Sequence, residues 1–230
     1  MTSPIPILSL PILSLPILSL QCGKVAPFRG EDEPSAIAKR PVAGPVRVHR
    51  LGLEGDAQAD LSVHGGPDKA IHHYPHDHYA FWRGAIGDHP LLDDYGAFGE
   101  NVSTAGLTED TVCIGDQWRL GSALVEVSQG RQPCWKLDHR FGGAKVNAAC
   151  IRSRRPGWYY RVIEEGAVEA GEVMELVDRP FPDWSVLRVF GLLIAGDHKG
   201  DRDGLEALGE VSALAEPWVR RRAKLLGAPG

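Results

Sequence analysis

Val112-Cys-Ile-Gly-Asp-Gln-Trp-Arg-Leu120, then Gly121-Ser122, then Ala123-Leu-Val-Glu-Val-Ser-Gln129 is the stretch on which the fold turns. The two apolar-rich runs read as strands, and Gly121-Ser122 supplies the glycine that a two-residue hairpin turn requires. Working outward, Pro45-Val-Arg-Val-His-Arg-Leu51 alternates apolar and charged residues as a half-buried strand does. Lys69-Ala-Ile-His-His-Tyr74 and Val173-Met-Glu-Leu-Val177 are further strands. One helix of moderate length intervenes: Pro75 opens it, and Asp77–Ile86 places Tyr79, Phe81, Trp82 and Ile86 on a broad apolar face. Long loops separate these runs, in keeping with 27 Gly and 17 Pro. The pattern predicts a mainly β (α+β) fold, an antiparallel or mixed β-barrel with short helices, and not a doubly wound sheet.

The composition changes after Arg179-Pro-Phe-Pro182. Asp183 is placed to cap a helix over Trp184–Ala195, with Leu187, Phe190, Leu193 and Ile194 on one stripe. Beyond the break Gly196–Gly204, Leu205–Leu208 and Val211–Leu214 suggest one or two short helices, and Pro217–Leu226 a last one. The basic run Arg220-Arg-Arg222 reads as a solvated, dipole-favoured helix end. At the other end PILSL occurs three times, as Pro6–Leu10, Pro11–Leu15 and Pro16–Leu20, with no charged side chain before Lys24. Pro11 and Pro16 oppose a membrane-spanning helix, and no Lys or Arg provides a signal-peptide start. The last copy, running on as Ile17-Leu-Ser-Leu-Gln21, alternates like a strand. The expected organisation is a repeated extension over 1–16, mobile or loosely attached, a β-barrel domain over 17–180 and a three-helix domain over 181–230.

In a chain of 230 residues, 43% hydrophobic residues suffice to bury a core. A net charge of -5 disfavours a nucleic-acid polymer as partner. Cys22, Cys113, Cys134 and Cys150 form no C-x-x-C pair, so a zinc ribbon, an iron–sulfur cluster and a thioredoxin motif lack their ligands. Thiols without a disulfide framework point to a cytoplasmic location.

Ser128-Gln-Gly-Arg-Gln-Pro-Cys-Trp-Lys136 leaves a strand end, where scaffolds display functional groups. Arg131 and Lys136 flank Cys134, and nearby cations favour the thiolate that attacks electrophiles or binds soft metals. The competing reading is a Cys packed by Trp135; Cys22, Cys113 and Cys150 read as packing residues. His64 with Gly65-Gly66 offers backbone N–H groups as an anion nest beside an imidazole, or a simple turn. Neither G-x-G-x-x-G nor a P-loop is matched. His72, His73, His76 and His78 fit no zinc spacing, because adjacent strand residues point to opposite faces. Phe98-Gly-Glu-Asn101 is a turn with two polar side chains.

Taken in order, Gly52-Leu-Glu-Gly-Asp56, Val63-His-Gly-Gly-Pro-Asp-Lys-Ala70, Phe98-Gly-Glu-Asn101, Val127-Ser-Gln129 with Arg131-Gln-Pro-Cys-Trp-Lys136, and Gly157-Trp-Tyr159 resemble MOSC-domain proteins of the YiiM type. The resemblance runs from about Ile17 to Pro180, and the C-terminal segment resembles the three-helix domain of that subgroup. Gly130 stands where the family more usually has Pro, which is expected to loosen the cysteine loop; the PILSL copies have no counterpart.

The resemblance implies a β-barrel that binds the molybdenum cofactor, with Cys134 as the protein ligand to molybdenum. Lys39, Arg131 and Lys136 are then the clamp for the pterin phosphate. His64, Gly65, Gly66 and Asn101 line the pterin or the open side of the metal, with Ser128 and Gln129 in the same binding set. Related proteins reduce N-hydroxylated compounds such as hydroxylaminopurines and amidoximes to amines or amidines, so the implied partner is a small N-hydroxylated substrate. No motif in the chain provides a second redox centre, iron–sulfur or haem, so electrons are expected from a separate flavin or iron–sulfur reductase. Neither a membrane nor pyridoxal phosphate is expected, and a homodimer is left open. Two other classes compete: a sulfur carrier holding a persulfide on Cys134, and a non-catalytic binding barrel in which Cys134→Ser is silent.

Overall fold

The computed structural model of the protein describes residues 13–29, 33–59 and 65–227. Its strands are β1 (Ser14–Pro16), β2 (Ser19–Cys22), β3 (Ala26–Pro27), β4 (Pro34–Ser35), β5 (Arg40–Pro41), β6 (Val46–His49), β7 (Gly52–Leu53), β8 (Ile71–His73), β9 (Val102–Ser103), β10 (Gln117–Leu120), β11 (Ala123–Gly130), β12 (Trp158–Glu164), β13 (Gly166–Val168) and β14 (Val173–Asp178). Its α-helices are α1 (His78–Ile86), α2 (Trp135–Arg140), α3 (Val146–Ser153), α4 (Val186–Phe190), α5 (Arg202–Ala207) and α6 (Glu216–Gly227).

The β10–β11 hairpin forms as read. Leu120 pairs with Ala123 across the two-residue turn, and Gly121 has φ +59°. A Cβ there would lie 2.2 Å from the Ala167 carbonyl oxygen, so only glycine fits. This hairpin occupies the middle of a nine-stranded sheet of order β1-β14-β10-β11-β12-β8-β9-β2-β5, antiparallel except for β8 against β9. The sheet curls into a half-barrel, mainly β with several helices, as the sequence pattern predicts. β13-β6-β7 and β3-β4 form two smaller sheets.

Only Gln117–Leu120 of the expected strand over Val112–Leu120 is extended in the sheet. Gly115 has φ +86°, and the Asp116 carboxylate accepts the Cys113 N–H at 2.9 Å, which turns the chain before the strand begins. Ser14–Pro16, expected in the loose extension, instead pairs as β1 with Val173–Glu175 of β14. Residues 1–12, which hold the first PILSL copy and the start of the second, lie outside the described residues.

Two apolar cores result. The first joins Trp118, Val125, Val127, Trp158 and Tyr160 of the sheet to Val186, Val189, Phe190, Leu193, Leu205, Leu208 and Trp218 of the C-terminal helices. Those helices therefore bury their apolar stripes on the sheet. Ser185, not Asp183, caps α4: its Oγ accepts the Arg188 N–H at 3.2 Å, a bond worth about 1 kcal/mol. A bridge to Cys113 holds Ser185 outside the helix, so the helix starts two residues late. Val211–Leu214 is a turn, not a helix, because Val211 leaves the helical region at φ −84°, ψ 88° after a 3-10 turn over Leu208–Glu210. The second core, Tyr74, Tyr79, Trp82, Phe98, Leu137, Phe141, Val146 and Cys150, gathers α1, α2 and α3.

Candidate functional site

Cys134 stands where the two cores meet. β11 carries Val125 and Val127 into the first core and ends at Gly130, which pairs with Trp158. The Arg131 N–H donates to the Gly157 carbonyl at 3.0 Å, extending the pairing by one residue. Pro133 is buried, Cys134 is extended at φ −140°, ψ 172°, and α2 then carries Leu137 into the second core. The half-buried thiol is thus anchored through the chain on both sides.

Two hollows flank it. The first, of about 80 Å³, is lined by Lys39, Lys69, Arg131 and Lys136, together with Cys134, His72, Asn101 and Tyr159. No carboxylate is among its described lining residues. The second, of about 230 Å³, shares the walls Lys69, Cys134 and Tyr159 and is completed by Gln129, Gln132, Pro133, Pro217, Trp218 and Arg221.

The basic residues are not equivalent. Arg131 is 6% exposed, and no carboxylate pairs with it among the described residues. Burial is the largest influence and opposes its charge, Tyr159, Cys134, Cys150 and Tyr74 act together the other way, and its pKa stays above the ordinary value. Lys39 is bound to Asp56, with both side chains buried, and Asp56 also accepts the Gly23 N–H at 2.7 Å. Burial lowers the Lys69 ammonium, with Asp68 opposing. Lys136 Nζ reaches the Pro34 carbonyl at 3.4 Å. Tyr159 is raised by burial, against the pull of Arg131. Burial first, and the Arg131 charge second, hold His72 neutral, and its Nε2 is buried without a partner among the described residues.

Of the other expected site residues, Asn101 lines the first hollow but is fully engaged. Its Oδ1 accepts the His72 N–H at 3.0 Å, and its Nδ2 donates to the Gln21 carbonyl at 3.1 Å and to Asp56 at 2.9 Å. It ties β2, β8 and the turn after β7 together. The Ser128 hydroxyl donates to the Asp68 carbonyl at 2.6 Å, and Ser128 lines neither hollow. Gln129 lines the second hollow. Gly65 and Gly66 line neither; Gly66, at φ +97°, precedes the 3-10 turn Pro67–Lys69 that delivers Lys69 to the site. His64 lies outside the described residues.

The remaining histidines disperse. His73 bonds Tyr160 at 3.1 Å and Thr104 at 2.9 Å, and burial pushes it down to about 3. His78 meets Glu109 at 2.6 Å. His72 stacks toward Tyr159 and His73 against Trp158, on opposite faces of the strand. Burial raises the Cys22 and Cys113 thiols to about 11 and Cys150 to about 12, so these three are poor nucleophiles.

Gly130 does not loosen the cysteine loop. It is buried in β11, and a Cβ on it would lie 3.0 Å from Trp218 Cη2 and 3.3 Å from Val186 Cγ1, so its lack of a side chain lets α6 close over the strand end. Lys69, His72, Tyr159, Trp218 and Arg221 were not among the site residues read from the sequence. Lys69 and Tyr159 stand inside quoted motifs, which could have found them; Trp218 and Arg221 carry no local signal. No helix among the described residues is long and apolar enough to cross a membrane.

A family model described as MOSC domain matches residues 60–175. Protein YiiM of Escherichia coli is 41% identical over 202 residues, 88% of this chain and 88% of that protein. A protein named Reductase from Gibberella moniliformis is 43% identical over 161 residues, 70% of this chain and 28% of that longer protein. The crystal structure of YiiM from Geobacillus stearothermophilus superposes with a TM-score of 0.77 at 32% identity, covering 94% of this chain and 100% of that one.

Proposed function

The chain belongs to the MOSC-domain family, and from that premise we propose that it is a molybdenum cofactor-dependent reductase of N-hydroxylated compounds. The overall reaction is cleavage of the N–O bond: R–NHOH, two protons and two electrons give R–NH2 and water. A reductase-named relative supports the enzyme class. The observation that carries the reading is a thiol and four basic side chains around one hollow with no carboxylate among its described lining.

That donor set fits the group. Thiolate is a soft ligand suited to molybdenum, and Cys134 would provide it. Arg131 is a buried cation without a described carboxylate partner, and a bound phosphate would neutralise it. Lys136 and Lys69 would share that phosphate. Lys39 is a weaker candidate because Asp56 already holds it. The unpartnered His72 Nε2 would accept a hydrogen bond from the pterin or release one to it. When bound, the cofactor supplies the two-electron change at the metal. Lys69 Nζ and Tyr159 Oη can each hold a proton beside Cys134 and deliver it to the departing oxygen or the nitrogen. Electrons would come from a separate flavin or iron–sulfur reductase, in a cytoplasm that keeps Cys134 reduced.

Protein made in a molybdopterin-competent host tests the proposal. Stoichiometric molybdenum and pterin, both lost in Cys134→Ser, is the expected result, with the intact gene protecting a deficient strain against 6-hydroxylaminopurine. Metal-free protein with a persulfide on Cys134 would replace the reductase with a sulfur carrier. Full function in Cys134→Ser would leave a binding barrel.

A further inference from the structure

Lys69 is the cation common to the described walls of both hollows, and residues that line neither hollow put it there. A lysine stem is flexible, so the backbone that carries it decides where it reaches. That backbone is the 3-10 turn Pro67–Lys69, in which the Lys69 N–H donates to the Gly66 carbonyl at 3.0 Å. A single bond of this kind has poor geometry and does not hold a turn rigid. Asp68 is what fixes it, and Asp68 is gripped twice. Its carbonyl accepts the Ser128 hydroxyl at 2.6 Å, and its carboxylate accepts Arg161 Nε at 2.8 Å. Ser128 has a hydroxyl to offer because it is the extra residue of a β-bulge: Val127 pairs with Tyr160 and Gln129 with Tyr159, and Ser128 stands between them. Its carbonyl accepts the Ala215 N–H at 3.0 Å, which ties the bulge to the segment before α6. Arg161 is steadied in turn by Glu126 of β11, whose Oε1 accepts Nη1 at 2.6 Å.

The Arg161–Asp68 pair has a second effect. Asp68 adjoins Lys69 in the chain, and its charge acts on the Lys69 ammonium. A carboxylate in that place competes with any anion that Lys69 could meet. Arg161 engages it, and the first hollow has no carboxylate among its described lining residues. The two side chains are 21% and 28% exposed, so the pair adds little to stability and its removal leaves a protein that can be assayed.

We propose that Arg161 and Ser128 are positioning residues for anion binding beside Cys134: they hold the Asp68 turn and occupy its carboxylate, so that Lys69 meets a phosphate in the first hollow. The assignment rests on the phosphate part of the reductase reading and not on the reduction itself.

The test uses the full chain without cofactor. Tm is followed against inorganic phosphate, with potassium chloride of equal ionic strength as control, and its rise with concentration gives the phosphate affinity. Arg161→Met weakens that affinity roughly tenfold, the size of one hydrogen bond to a charged group, and Lys69→Met does the same. Adding Asp68→Asn to Arg161→Met removes the competing carboxylate and restores most of the affinity, a recovery that a merely structural arginine would not show. Ser128→Ala weakens phosphate binding by roughly a few fold, and Ser128→Thr, which keeps the hydroxyl, restores it. If Arg161→Met does not fold, the Ser128 variants and Asp68→Asn alone, which binds phosphate at least as tightly as wild type, decide. Equal affinity in wild type, Arg161→Met and Lys69→Met overturns the positioning role and leaves an anion site on Arg131. No recovery on adding Asp68→Asn overturns the competition and the role given to Arg161. No phosphate response in wild type overturns the anion site itself. Arg161-dependent phosphate binding in a protein that takes up no molybdenum overturns the reductase and leaves the positioning role standing.

Discussion

Asp56→Asn should be among the most damaging conservative substitutions in the protein. Lys39 and Asp56 face each other with side chains only 8% and 3% exposed. The carboxylate also accepts the Gly23 N–H at 2.7 Å and Asn101 Nδ2 at 2.9 Å. Asparagine keeps the shape but has one acceptor oxygen for three donors, and its own NH2 must face an ammonium or an amide N–H. Removing one partner of a buried ion pair costs about 3–5 kcal/mol, because the other charge stays desolvated and unpaired. For a chain of this size each kcal/mol moves Tm by about 2–4 °C, so a loss of about 4 kcal/mol lowers Tm by about 8–16 °C. Urea denaturation followed by tryptophan fluorescence, with calorimetry for Tm, gives both values. Lys39→Met alone should cost a comparable amount, while Lys39→Met with Asp56→Leu should recover most of the loss, since a buried pair is replaceable by apolar groups of like volume. A cost below about 1 kcal/mol for Asp56→Asn would refute the reasoning. It would mean that water reaches Lys39, which would then join Arg131, Lys69 and Lys136 as a phosphate clamp.

Two further outcomes follow from packing and from burial. Gly130→Val places a branched side chain where a Cβ alone meets Trp218 at 3.0 Å; it should cost about 1–3 kcal/mol, measurable by urea denaturation of the cofactor-free protein. His73 titrates at about 3 when folded, against 6.5 for a free imidazole. Below pH 6.5 the unfolded chain therefore takes up a proton that the folded chain refuses, and stability falls as the pH drops toward about 3. The contribution is about 1.4 kcal/mol per pH unit once the unfolded imidazole is charged, so urea midpoints between about pH 4 and 6 should depend less on pH in His73→Gln. Equal slopes in the two proteins would place the proton uptake elsewhere.

What the sequence made legible was local. Gly121-Ser122 dictates its hairpin through a backbone conformation that few residues adopt, and the alternation of Val46–His49 survives as β6 because one face is buried. Cys134 stands out as a candidate because its flanking cations and proline are neighbours in the chain. The failures share a cause: a distant residue settles the matter. Asp183 and Ser185 are both good caps, and the bridge from Ser185 to Cys113 decides between them. Lys39 and Asn101 line the first hollow, but the chain gives no local sign that Asp56 holds Lys39 or that His72, Gln21 and Asp56 use both ends of the Asn101 amide. Trp218 and Arg221 look like an ordinary helix face, and only the docking of α6 over Gly130 brings them to the thiol.

The contrast between Lys39 and Arg131 is the strongest physical pointer to a ligand. Both are buried cations on the same hollow, and the fold supplies a carboxylate to one and not, among the described residues, to the other. A buried cation with no described carboxylate beside it is a place that an anion would satisfy, and the adjoining His72 is held neutral. A ligand that brings an anion to Arg131 binds the folded chain and not the unfolded one, so it must stabilise the fold, by about 2.7 kcal/mol at a hundredfold excess over Kd. Inorganic phosphate should therefore raise Tm in a concentration-dependent way, and Arg131→Met should abolish that rise while itself being at least as stable as the wild type without phosphate. A variant that is less stable and still responds to phosphate would show that Arg131 holds the fold and not the anion.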